Sequence, residues 1–194
     1  MVYIIPNCSK PQALAVSFRK IVEMKQNLDK IFELEEENKF EEVFELYQTL
    51  YSENESDYEI WKNFHFFLWN GIEDSTTKFN ERIEVNKLLQ KMFDEGKNNF
   101  SELADFNFIA GYTVSIFPYE YGDYYDLEFE ANQMLKKAAE IEPENLIYKL
   151  VYFGSISNVD KEEYRKLEIE SSPKVLETFS GKGILNKYFS KVFI

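Results

Sequence analysis

Residues 38–56 read "NKFEEVFELYQTLYSENES", and their spacing decides the fold class. Phe40, Val43, Phe44, Tyr47, Leu50 and Tyr51 step by three and four, so on a helix they share one face, with Glu41, Glu42 and Glu45 outside it. The same period recurs on both sides. A preceding helix is expected from about Pro11 to near Asn38, carried by Phe18, Ile21, Val22, Leu28, Ile31 and Leu34. After it, "DYEIWKNFHFFLWNG" (57–71) is apolar on most sides, which predicts a helix buried all round and stopped by Gly71.

Further along, a turn at 75–77 leads into "FNERIEVNKLLQKMFDEG" (79–96), read as one helix with a Gly96 stop. "SELADFNFIAGYTVSIF" (101–117) follows, with Ser101 or Asn99 as N-cap and Pro118 as its limit. The helical pattern resumes from about Leu127 through Ala131, Met134, Leu135, Ala138 and Ile141, closing at Pro143. Shorter helices are expected at 144–153, 161–169, 174–179 and 185–193. With 7 glycines and 5 prolines in 194 residues there is little turn punctuation for an all-β fold, while 44% hydrophobic residues supply a core. The expectation is an all-α fold of antiparallel helical hairpins over 11–194, in a single domain 1–194 preceded by an N-terminal arm, 1–10.

Charge narrows the partners. The formal net charge is −13, and from Asp29 to Glu59 twelve acids stand against Lys30 and Lys39. Ser171 to Ile194, with Lys174, Lys182, Lys187 and Lys191 against Glu177, runs the other way, as does Ser9 to Lys25. A field of this sign repels phosphate backbones and anionic lipid, so no nucleic acid and no membrane is expected, whereas a basic protein is drawn in. The single cysteine, Cys8, forms no intramolecular disulfide, and "MVYIIPNCSK" lacks the basic start and long apolar run of a secretory signal. The chain is read as cytoplasmic.

Catalytic arrangements find little support. His65 is the only histidine and lies in an apolar helix, where a packed core role is expected. "SGKG" at 180–183 lacks the leading glycine and the following Ser or Thr of a phosphate loop. Asp126, Glu128 and Glu130 alternate like calcium ligands but lack the sharp-turn glycine and distal glutamate, so neither metal nor cofactor is expected.

The stretch "FPYEYGDYYDLEFE" (117–130) stands apart, with six aromatics, five acids and no basic residue. Tyrosines beside carboxylates are the composition of a binding surface for Lys or Arg; the alternative is an irregular corner whose tyrosines pack inward. Tyr119, Glu120, Tyr121, Asp123, Tyr124 and Asp126 are the candidate partner-binding residues.

Two resemblances add to this. "ANQMLKKAAEIEPEN" (131–145) resembles the second helix of a tetratricopeptide repeat, with Ala131 and Ala138 seven apart, Leu135 between them and Pro143 after; residues 38–69 are similar in outline, with Trp61 at the next repeat's aromatic position. Val43, Leu50, Glu55 and His65 depart from that pattern, and the two segments are out of phase with a 34-residue period, so the resemblance implies an irregular TPR-like array. "ADFNFIAGYTVSIFPYEYGD" (104–123), the alanine-rich helix and "FSGKGILNKYFSKVF" (179–193) together resemble acidic helical immunity proteins of polymorphic toxin systems, including contact-dependent growth inhibition. That resemblance implies a non-enzymatic protein that neutralises a basic toxin domain, a nuclease, by covering its active site. A TPR-like adaptor or chaperone holding a peptide is the second reading, and a carboxylate-dependent hydrolase the third.

Overall fold

A computed structural model describes residues 10–193, excluding the side chains of 10–21, Asp74 and Tyr124. Of the expected N-terminal arm, residues 1–9, with Cys8, lie outside the described residues, and Lys10 opens a helix. Within them the chain is all-helical: α1 (Lys10–Glu36), α2 (Phe40–Glu53), α3 (Tyr58–Asp74), α4 (Thr77–Ile83), α5 (Val85–Phe100), α6 (Ala104–Ile116), α7 (Tyr124–Ile141), α8 (Leu146–Ser155), α9 (Lys161–Thr178) and α10 (Ile184–Val192). Most successive helices pack against each other, α6 against α7 most extensively, while α3 pairs with α5 across the short α4. The last helix turns back, so that α10 packs on α3 and α1 as well as on α9.

The α1–α2 hairpin forms as its periodicity dictates, burying Val43, Phe44, Tyr47, Leu50 and Tyr51. Asn38 takes a left-handed conformation (φ 56) at the end of α1, where its N–H donates to the Glu35 carbonyl and that of Lys39 to the Leu34 carbonyl. Asp57 caps α3, its carboxylate accepting from the Ile60 N–H at 3.1 Å.

Helix α3 carries most of the core. Trp61, Phe64, Phe66, Phe67, Leu68 and Trp69 are all buried, against α2, α5, α6 and α10. Gly71 does not stop this helix, which runs on to Asp74. Nor does Gly96 stop the next one: α5 continues to Phe100, and a Cβ at 96 would stand 2.6 Å from the rings of both Trp61 and Phe106. The glycine is there because two aromatic rings occupy the place of a side chain.

Other boundaries also differ from the sequence pattern. The expected helix 79–96 is two helices, broken where Glu84 adopts φ 50. Helix α6 begins at Ala104 rather than near Ser101, and Asn107 uses its amide to bind the Ser101 and Leu103 carbonyls, each at 2.7 Å. The two short helices expected either side of Pro173 are one, α9, because buried Leu167, Ser171 and Val175 hold both halves on the same face. The hydrogen bond Pro173 cannot make would go to the carbonyl of Ile169, a residue exposed to solvent.

Gly96→Ala is expected to lower stability by about 1–3 kcal/mol through overpacking, read as a lower denaturant midpoint with unchanged far-ultraviolet dichroism. Ala138→Glu should cost more, because Ala138 is fully buried where α7 packs and a charge would be forced into the core. Wild-type melting of the Ala138 variant would be incompatible with that packing.

Candidate functional site

The corner between α6 and α7 is built from a 3-10 turn, Pro118–Glu120, then Gly122 and the helix cap Asp123. It does not present the six candidate residues as one surface. Tyr119 is 61% exposed, and Asp123 and Asp126 also face solvent. Glu120 is half-buried and accepts a hydrogen bond from the Asn86 side chain, across a cleft of about 470 Å³ that Glu81, Glu84 and Lys87 also line. The side chain of Tyr124 lies outside the described residues.

Tyr121 is a correction to the sequence reading. It is buried, its ring lies edge-on to Phe93 at 5.5 Å, and its hydroxyl is 3.1 Å from His65 Nε2. It pins the corner to α3 and α5 and offers nothing to a partner. Asp123 has a structural duty too: its carboxylate accepts from the Tyr125 N–H at 3.1 Å, capping α7, which therefore starts three residues before Leu127. A tyrosine spaced for burial and one spaced for display look alike in a non-helical stretch, where no period assigns them a side.

Phe129, absent from the candidates, is 68% exposed, and Tyr125 is 80% exposed. They are four residues apart on α7, so they stack on one side of it, while Leu127, Ala131, Met134, Leu135 and Ala138 form its buried side. The helical period continued back from Ala131 was the signal that places Phe129 outside.

The acids of α1 and α2 present a different surface. Their aromatic neighbours Phe44, Tyr47 and Tyr51 are buried, and several of the charges are engaged locally: Glu37 with Lys39 (2.7 Å), Glu41 with Arg82 (3.2 Å) and Glu33 with Lys182 (3.6 Å).

Two buried titratable groups are set by their surroundings. Glu35 lies in a cavity of about 420 Å³ shared with Leu176, Phe179, Lys182, Gly183 and Lys187. One carboxylate oxygen accepts from the Tyr47 hydroxyl (2.9 Å), the other from the Ile184 N–H at the start of α10 (2.8 Å). Gly183, at φ 95, lets α10 come this close, since a Cβ there would meet Phe32 at 2.8 Å. Burial pushes the Glu35 carboxyl up to about 7, opposed by those two hydrogen bonds and helped by the Glu36 charge. Burial pulls His65 down to about 3, so it is neutral, stacked on Trp61 at 4.7 Å, with Nδ1 lacking a hydrogen-bond partner.

A third cluster, on α3, α6 and α8, centres on Asp105, which accepts from Tyr58 (3.0 Å), Lys62 (3.1 Å) and Tyr148 (3.3 Å). Its carboxylate is occupied in holding three helices together. Among the described residues no group of three or more His, Cys, Asp or Glu is placed to hold a metal ion, and no helix is long and apolar enough to cross a membrane. Compared with known proteins, the chain matches no family model, no curated sequence and no solved structure.

The two buried groups pull stability in opposite directions with pH. The folded state holds a proton on Glu35 that the unfolded chain releases, so this group's contribution rises as pH falls from about 7 to 4.5, by about 3 kcal/mol. Buried neutral His65 is the reverse: its contribution is full above 6.5 and is lost as pH falls toward 3. Denaturation of Glu35→Gln across pH should lack the acid-side gain relative to wild type, and His65→Gln should lack the acid-side loss. Parallel profiles for all three proteins would contradict both assignments.

Proposed function

We propose that the protein is a non-enzymatic acidic binding protein that neutralises a basic toxin domain, most simply a nuclease, by covering its active site. The observation that carries this reading is the coincidence, on the α6–α7 corner and the first turns of α7, of large exposed aromatics with solvent-facing acids: Tyr119, Tyr125 and Phe129 beside Asp123, Asp126 and Glu128. Interfaces draw affinity from aromatic anchors and association rate from charge. A net charge of −13 supplies the second over the whole surface and matches the phosphate-binding face of a nuclease in sign.

The resemblance to immunity proteins of toxin systems, in a TPR-like stack, is part of this proposal and fits the hairpin architecture. The adaptor reading requires an open inner face for a peptide, whereas α10 lies against α1 and α3 with Phe189 fully buried. For the hydrolase reading, Glu35, the carboxyl that burial raises, is tied to the fold by the Tyr47 hydroxyl and by the Ile184 N–H that starts α10.

The test is titration against a basic nuclease toxin domain. Asp126→Lys with Glu128→Lys is the reversal to use, since it spares the Asp123 cap; Glu42→Lys with Glu45→Lys, on the exposed side of α2, is the matched control. The first pair is expected to weaken binding by tens to about a thousandfold, as for charges desolvated against Lys or Arg, and the second by far less. A loss confined to the α2 pair would move the interface to the other acidic surface, and no loss from either would end the electrostatic account.

A further inference from the structure

We propose that the outer stripe of α7, Tyr125 and Phe129, is an apolar anchor, and that the partner surface it fits is an apolar recess bordered by lysine or arginine. This deepens the reading above and rests on it.

A phenylalanine 68% exposed, one turn from a tyrosine 80% exposed, leaves a continuous apolar strip in water on a helix whose opposite side is fully packed. Leu127, Ala131, Met134, Leu135 and Ala138 hold α7 from its buried side, and Phe129 lies 68% exposed on the opposite one. The strip is bordered by exposed Asp126 and Glu128, while Glu130, the next acid, is turned away onto Lys97 at 3.2 Å. Two acids left in solvent beside two rings fix the occupant's chemistry: it brings apolar surface for the rings and cations for the carboxylates, within the reach of two helical turns.

Another exposed apolar row among the described residues does not share this chemistry. Ile169 and Leu176, seven apart on α9, have no exposed aromatic ring beside them, and their acidic neighbours Glu170 and Glu177 are paired with Lys166 and Lys174. The acids of α1 and α2 have charge without exposed rings. The end of α7 nearest the corner combines both.

The anchor can be tested without the toxin. Isotope-labelled full-length protein is titrated with an amphipathic helical peptide built of leucine and lysine, and in parallel with an oligolysine of equal charge. The expected result is saturable amide shifts centred on 124–131 with the amphipathic peptide and weaker, dispersed shifts with oligolysine. Phe129→Ser should reduce affinity for the amphipathic peptide about tenfold or more, and Phe129→Tyr should retain it. Because Phe129 is exposed, the dichroism and melting of both variants should match wild type. Equal affinity for the two peptides, shifts centred on 36–45, or an unaffected Phe129→Ser variant would each overturn the anchor. If the peptide binds at α7 while basic nuclease toxin domains do not bind at all, the anchor stands and the toxin-inhibitor reading falls.

Discussion

From Ile60 to Trp69 on helix α3 only Lys62 escapes full burial, and the remaining helices are arranged around that constraint. A helix that is apolar on every side has to be covered on every side, which a single hairpin cannot do. α2, α5, α6 and α10 each take one flank. The two tryptophans make the arrangement specific as well as stable. The Trp61 indole donates to the Met92 carbonyl on α5 at 2.8 Å, and the Trp69 indole to the Thr113 carbonyl on α6 at 3.1 Å. Burying such an N–H without its acceptor costs about 1–3 kcal/mol, so a shifted α5 or α6 loses both packing and a hydrogen bond. Gly96 belongs to the same constraint, since only a residue without a side chain lets α5 pass between Trp61 and Phe106.

How much of this was legible follows from where period carries information. On α2 and α7 one side is solvent and the other core, so spacing alone assigned Val43, Tyr47, Ala131 and Ala138 to the inside. Breaks were harder to read. Gly71 and Gly96 look like stops because glycine ends helices for conformational reasons, but at 96 it serves close approach, which depends on partners distant in sequence. Pro173 looks like a break because it removes a hydrogen bond, yet anchorage on both sides of it outweighs one exposed carbonyl. The break at Glu84 has no glycine or proline to announce it.

The candidate site was legible in composition and not in orientation. The 117–130 stretch was marked out by its tyrosines and acids, and three of the named residues do face solvent, Tyr119, Asp123 and Asp126. Tyr121 went inward because His65, on a helix more than fifty residues earlier, offers its hydroxyl a partner, a pairing that no local pattern contains. Phe129 went outward because α7 starts at Tyr124, earlier than its apolar period suggested, once Asp123 caps it. Moving a helix start by one turn converts residues of a loose corner into residues with a fixed side, and that shift separates the six candidates.

Acidity by itself selects no place on this molecule, since carboxylates are spread from α1 to α9 and many are neutralised by a neighbour within one turn. Long-range attraction sums over all of them, while a docking geometry needs short-range features that occur once. The closure of the fold limits where those features are available. α10 is drawn onto α1 by the Glu35 carboxylate and onto α3 and α6 by Phe189, whose ring lies 5.2 Å from Phe66 and 5.3 Å from Phe108, so the aromatic-rich side of α3 is spent internally. Helix α7 packs on α6 and α8, and Tyr125 and Phe129 on its other side are largely exposed. The aromatic content that first distinguished the chain is thus divided in two. Most of it packs around α3, and among the described residues the exposed aromatics, Tyr119, Tyr125 and Phe129, lie at the α6–α7 corner and on the first turns of α7.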